Sequence, residues 1–374
     1  MIAVAVSAAR AFAAVTTTQI EAIFTSLRST NAPGAAVLVL RHGEPVFRRG
    51  YGVTDLRTLT PIGPEANFRL ASFTKQFTAA SIMLLVHDGK LNYDEHLSGF
   101  FEFPEYGKPI TVRHLLNHVS GLPAYEDLLA KRYSGMPEGR IPQILDEGVL
   151  RLLAEQTSAR FPAGSKWEYS NSGYAVLALI AEKVSGKRFG QFLNERIFLP
   201  LKMDHSVAYE KGRNEVAHWA YGHTRQADGW HETDQSPTSA VLGDGGIYSS
   251  LDDLAKWDRA LRDHTLLTET EMRPALTPVQ LSGGGKEDYG FGWRLDSYRG
   301  HKRMWHGGDT IGFRTAIERF PDDHLTVIVL ANRADLDSPA LALKIADLYL
   351  AAGEEMESRR AQEGTNASSN SSNR

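Results

Sequence analysis

Apolar residues recur three or four apart at Ile20, Ile23, Phe24 and Leu27, behind Thr17 and Thr18, which can cap. The spacing predicts an amphipathic helix over roughly 17 to 30 with a wet polar face. In "GAAVLVLRHGEPVFRRGYG" the periodicity changes to two β-rich runs around His42-Gly43-Glu44-Pro45, the pattern of a hairpin. After a loop to about residue 68, a helix is expected from Ser72 to His87, ended by Asp88-Gly89, and its "SIMLLVHDG" is apolar nearly all round, as expected of a helix inside the molecule.

Residues 90 to about 235 read as mostly helical and loop-rich, punctuated by Pro104, Pro109, Pro123, Pro142, Pro162 and Pro200. From about 240, "YGFGWRLD", "RMWHGG", "GFRTAIERF" and "HLTVIVLAN" return to short strands, and "LALKIADLYLAA" closes as an amphipathic helix. Strand segments thus lie at both ends of the chain. The expected architecture is α/β in the α+β sense, an antiparallel sheet from N- and C-terminal segments flanked by helices, with an inserted, mostly helical lobe. On this reading residues 17–353 form one catalytic domain, with a sheet lobe at about 17–70 and 240–353 and a helical lobe at about 71–239. The polar segment after 353 is expected to be disordered.

The first fifteen residues, "MIAVAVSAARAFAAV", carry an apolar run and an A-x-A triplet at Ala11-Phe12-Ala13, as a secretory leader does. No basic stretch precedes the run and Arg10 interrupts it, so a frayed N-terminus or mis-set start takes precedence over a cleaved signal. The compartment stays open: periplasmic or secreted with a leader, cytoplasmic without one. No stretch reaches the ~18 uninterrupted apolar residues needed to cross a bilayer.

Composition narrows the chemistry. A chain of 374 residues, 42% of them hydrophobic, can build a large core, and its formal charge of −4 comes without long basic runs. That excludes the electrostatic footprint of a nucleic-acid binder and leaves a small molecule as the default partner. With no cysteine, disulfides, thiolate catalysis and cysteine-ligated zinc are excluded.

One oddity on the buried helix points to a reaction. Ser72 and Lys75 lie three apart, within reach of a shared hydrogen bond. A serine hydroxyl is a weak nucleophile until a neighbouring base takes its proton, and an amine serves as that base when uncharged. A helix N-terminus favours alkoxide on the serine and disfavours ammonium on the lysine. Taken alone the pair also fits a capping serine and a snorkelling lysine. Two further stretches are suggestive: Tyr169-Ser170-Asn171 before the apolar "YAVLALIAEKV", and His306-Gly307-Gly308 at the end of a short strand. Tyr169 can shuttle a proton to a leaving group, and Asn171 can hold a substrate carbonyl or fix Lys75. Paired glycines let backbone N–H groups face a ligand.

S-x-x-K at Ser72 to Lys75, Y-x-N at Tyr169 to Asn171 and H-x-G at His306 to Gly308 occur in the order of the serine β-lactamase and penicillin-binding superfamily. The chain resembles its class C-like branch of β-lactamases, D,D-peptidases, D-aminopeptidases and esterases. Ser72 to Lys75 is the only S-x-x-K present, and "TVRHLLNHVSGLP", "GGIYSSLDDLAKW" and "YGFGW" extend the resemblance over roughly 17 to 350. It implies a β-lactamase/transpeptidase-like fold and attack by Ser72 on an acyl carbonyl. Lys75 and Tyr169 would handle the proton, an acyl-enzyme would form, and no metal or cofactor would be needed. The oxyanion would rest on the backbone N–H groups of Ser72 and Asp309, provided the Asp309 side chain turns away.

His306 departs from the lysine of true β-lactamases. A neutral histidine can donate a hydrogen bond to the Tyr169 oxygen, and Arg314 can supply the missing cation for a substrate carboxylate. The resemblance therefore implies a small ester, amide or β-lactam substrate, with a carboxylesterase or D-amino-acid peptidase favoured. A true β-lactamase, a D,D-carboxypeptidase and a non-catalytic penicillin-binding sensor are the alternatives. His114 and His118, four apart on an expected helix, are a possible zinc pair without a third ligand; packing or a hydrogen bond near the cleft is the expected role. Oligomeric state is not legible.

Overall fold

In the computed structural model, which describes residues 15–351, the hairpin forms as β1 (Ala35–Arg41) and β2 (Glu44–Tyr51). His42 and Gly43 turn it, both in the left-handed region at φ 50° and 78°, the geometry whose twist matches paired strands. Pro45 falls inside β2, an edge strand, where a missing N–H costs no ladder bond. β3 (Arg294–Tyr298), β4 (His301–Thr310), β5 (Phe313–Phe320) and β6 (Leu325–Ala331) complete one six-stranded antiparallel sheet in the order β3-β4-β5-β6-β1-β2. The first hairpin thus pairs with the end of the chain through β1 and β6, as the strand pattern implied.

β1 is covered on both faces, which explains its nearly unbroken apolar run. Val37 and Val39 pack with Ile20 and Phe24 of the N-terminal segment and with Ile345 of the closing helix over 338–351. Ala36, Leu38 and Leu40 face the larger core, which contains the helices of the inserted region. The N-terminal helix α1 spans only Thr17–Ile23, followed by a 3-10 turn at Thr25–Leu27, so it is shorter than the periodicity suggested. The Thr25 hydroxyl donates to the Ala22 carbonyl at 3.0 Å, a local bond that competes with helix continuation.

Residues 71–74 form a 3-10 turn, and α2 (Lys75–His87) follows it, ended by Asp88 and Gly89. Every residue from Lys75 to Leu85 is buried. Ser72 therefore belongs to the turn and not to the α-helix. In a 3-10 turn positions i and i+3 eclipse, so Ser72 and Lys75 stack directly. α3 (Asn171–Ser185) packs beside α2, its first turn capped by the Ser170 hydroxyl, which accepts from Gly173 N at 3.1 Å. The stretch between β2 and β3 holds short helices and also strands: a hairpin at His223–Gln226 and Gly229–Glu232, and a small sheet joining Phe68–Arg69, Ile247–Ser249 and Val207–Ala208. The candidate leader at 1–14 and the polar tail beyond 351 lie outside the described residues.

His306, Gly307 and Gly308 lie within the ten-residue strand β4, not at the end of a short one. The two glycines differ in what surrounds them. A Cβ on Gly308 would sit 2.1 Å from the Leu70 carbonyl oxygen and 2.3 Å from Thr315 Oγ1, whereas one on Gly307 would meet its nearest atom at 3.5 Å. The Thr315 hydroxyl donates to that same Leu70 oxygen at 2.8 Å, so β4 and β5 are pressed against the turn that carries Ser72. Gly308→Ala is expected to cost about 3 kcal/mol or more, because rigid backbone must move, and Gly307→Ala under about 1 kcal/mol. Urea unfolding of the two variants measures this; equal losses would contradict the close approach.

Candidate active site

The Lys75 amine is fully buried and lies 3.0 Å from Ser72 Oγ while donating to the Asp244 carbonyl oxygen at 2.8 Å. No carboxylate comes within ion-pair distance of it among the described residues. Its remaining surroundings are aromatic: the amine stands 5.0 Å from the centre of the Tyr169 ring and 5.5 Å from that of Tyr174. Ser72 is half-buried and opens on the cleft, so the hydroxyl is accessible and the amine is not. Ala71, just before it, holds a left-handed φ of 51°, a conformation costing an L-residue roughly 1–2 kcal/mol. Ser72 follows in the first 3-10 turn, where backbone N–H groups lack intrahelical acceptors.

Tyr169 stands beside this pair with its hydroxyl buried and without a hydrogen-bond partner among the described residues. The expected bond from His306 to that oxygen is absent. His306 Nδ1 lies 2.7 Å from the Gly307 carbonyl oxygen and so carries the proton, while Nε2 accepts from the Tyr289 hydroxyl at 3.0 Å. Both ring nitrogens are thereby occupied. Burial, with Lys75 as a further positive neighbour, lowers its pKa to about 3, so the imidazole is neutral. His118, Trp167, Tyr169, Tyr174, Tyr289 and His306 make one aromatic cluster, with ring contacts from 4.4 to 6.5 Å.

Asn171 lines the cleft, but its amide donates to Glu126 Oε1 at 2.6 Å and does not fix Lys75, whose partner is the Asp244 carbonyl. Its own Oδ1 is buried and has no partner among the described residues. Glu126, Asp244, Tyr125 and Arg69 share this side of the cleft with Ser72. The Tyr125 hydroxyl donates to Asp244 Oδ2 at 2.9 Å; burial pushes that carboxyl up to about 6, against the opposing pull of Lys75.

The other side of Ser72 is a cleft of about 480 Å³, walled by Tyr169, Arg294, Trp305, His306 and β4 from Gly307 to Asp309. Trp305 pairs with Arg294, the first residue of β3, so from His306 onward no strand among the described residues covers that edge of β4, which borders the cleft. The Asp309 side chain turns out, 77% exposed, to pair with Arg314 at 3.0 Å. Arg314 also donates to the Thr310 and Phe313 carbonyls at 2.7 Å, so its charge is spent on the β4–β5 turn, contrary to its expected role as the free cation. Arg294 is better placed: its guanidinium lies 5.7 and 5.3 Å from the Trp167 and Trp305 ring centres and makes no ion pair among the described residues.

His118 and His114 do not pair as a metal site. The helix carrying His114 stops at Leu116, and His114 serves its N-cap, with Nδ1 accepting from Thr111 N at 3.1 Å. No group of three or more metal-ligating side chains comes together among the described residues. Sequence reasoning passed over Glu126, Asp244, Tyr289 and Arg294. Tyr289 and Arg294 carried a signal in or beside "YGFGW", and Asp244 one beside "GGIYSSLDDLAKW"; Glu126 carried none.

Because His306 stays unprotonated when folded, while an unfolded histidine titrates near 6.5, its contribution to stability is present above about pH 6.5. It is lost as pH falls toward 3, since the unfolded chain takes up a proton that the folded chain refuses. Thermal melts between pH 8 and 4 are expected to fall less steeply for His306→Gln than for the parent; equal slopes would contradict the neutral, doubly bonded ring.

Comparison with known proteins bears on the family and the fold. The profile of the Beta-lactamase family matches residues 13–352. Penicillin-binding protein 4* of Bacillus subtilis (strain 168) is 31% identical over 345 residues, covering 88% of this chain and 75% of that protein. A D-aminopeptidase of Brucella canis is 30% identical over 325 residues, covering 85% of this chain and 60% of that protein, so this chain spans only part of its length. Among solved structures, the octameric penicillin-binding protein homologue from Pyrococcus abyssi aligns at TM-score 0.77 with 25% identity over 89% of this chain and 77% of that one. The D-amino acid amidase from Ochrobactrum anthropi SV3, complexed with L-phenylalanine amide, shares the fold at TM-score 0.75 and 24% identity over 91% of this chain and 99% of that one. The chain belongs to the Beta-lactamase family and is a serine hydrolase with its β-lactamase/transpeptidase-like fold.

Proposed function

We propose that the protein hydrolyses amides and esters of small acyl donors through an acyl-enzyme on Ser72, and that its preferred acyl group carries a free α-ammonium, as in D-amino-acid amides. The observation that carries the hydrolytic reading is the contact of an accessible Ser72 hydroxyl with a dry, carboxylate-free Lys75 amine. Ser72 Oγ bonds to the substrate carbonyl carbon as its proton leaves toward Lys75 and Tyr169. The oxyanion sits on the N–H groups of Ser72 and Asp309. The bond to the leaving amine or alcohol breaks as Tyr169 returns the proton, and water then releases the acid.

The α-ammonium preference rests on Glu126, whose carboxylate is held by Asn171 on the Ser72 cleft, with Asp244 beside it. The Brucella relative is named a D-aminopeptidase, which supports the same substrate class. A second reading, cleavage before a residue with a free carboxylate, draws on Arg294 on the opposite side of Ser72.

Glu126→Gln is expected to raise KM for a D-amino-acid amide at least about tenfold, the loss of one charge-assisted contact, while leaving a short-chain acetate ester within about twofold. Equal effects on both substrates would remove Glu126 from recognition. Ser72→Ala is the background control. Efficient hydrolysis of a chromogenic cephalosporin would overturn the expectation, drawn from His306 in place of lysine, that β-lactamase activity is weak or absent.

A further inference from the structure

We propose that His118, outside the three motif elements, is the positioning residue for Tyr169, holding its backbone from both flanks and its ring from one face. The His118 carbonyl accepts from Glu168 N at 2.9 Å, and its Nδ1 accepts from Ser170 N at 3.0 Å. These two bonds bracket Tyr169. The imidazole is fully buried and its ring centre lies 4.4 Å from that of Tyr169. Both bonds are available to one residue because His118 adopts a left-handed backbone, φ 60°, just past the helix that ends at Leu116.

Tyr169 needs such an anchor, since among the described residues its hydroxyl makes no hydrogen bond that would hold the ring. Ser170 N–H precedes α3, whose cap is supplied by the Ser170 side chain, and its acceptor is His118. Accepting at Nδ1 requires the proton on Nε2, and Nε2 is buried with no acceptor of its own among the described residues. The charged or titratable groups around the ring are Lys75, His306, Arg294, Tyr169, Tyr174 and Tyr289. Burial first, and then the positive charges of Lys75 and Arg294, oppose an imidazolium, so the ring remains an acceptor.

The inference rests on Tyr169 carrying the proton in catalysis. Tyr169→Phe alone tests that reading: a variant at the parent rate would end it whatever His118 does. Asparagine tolerates a left-handed backbone and places Oδ1 where Nδ1 stands, whereas glutamine sets its amide one bond further out. His118→Asn is expected within about threefold of the parent kcat, and His118→Gln about 100-fold lower with KM within about twofold, the scale of a misplaced catalytic group. On a Tyr169→Phe background the glutamine change is expected to cost under about twofold, since there is no hydroxyl left to misplace. Should the glutamine variant not fold, His118→Gly, which accepts the same backbone angle, takes its place with the same expectation. The proposal is overturned if asparagine falls with glutamine, if glutamine keeps the parent rate, or if the full loss recurs on the Tyr169→Phe background.

Discussion

The site depends on one contact: a serine hydroxyl and a buried lysine amine one 3-10 turn apart, 3.0 Å from each other. A regular α-helix would offset positions i and i+3 around the axis, whereas the tighter turn eclipses them. That turn is not free to relax. It is held by the left-handed Ala71, by the Thr315 hydroxyl on the Leu70 carbonyl, and by a strand that approaches closely only because residue 308 has no side chain. The geometry around Ser72 is thus a consequence of how the C-terminal strands dock on the start of a helix from the first quarter of the chain.

Around this contact the protein arranges groups that keep water and countercharge away. Lys75 is offered a backbone carbonyl and aromatic faces in place of a carboxylate. His306, its imidazole closed by Tyr289 and Gly307, adds a neutral wall where a cation would have changed the field. The cleft has Glu126 and the buried Asp244 on one side of Ser72 and Arg294 on the other.

Much of this was legible in the chain. The alternation of the hairpin, the apolar run of the central helix and the return of strands after 240 report burial directly, and burial is what periodicity records. Ser72, Lys75, Tyr169 and His306 stand around one cleft. What stayed hidden depends on tertiary geometry. Helix 112–116 is too short to put His114 and His118 on a common face, and nothing local announces that His118 turns left-handed to meet the Tyr169 loop. Arg314 looked free because its partners are carbonyls of its own turn, which a sequence does not display; Arg294 looked ordinary because its indole neighbours come from separate segments.

The most direct test is to quench the protein during turnover of an activated D-phenylalanine ester and map the modified peptide by mass spectrometry. An added aminoacyl mass is expected on Ser72, longer-lived in Tyr169→Phe and absent from Ser72→Ala. Steady turnover with no adduct, or an adduct on another residue that survives Ser72→Ala, would contradict it.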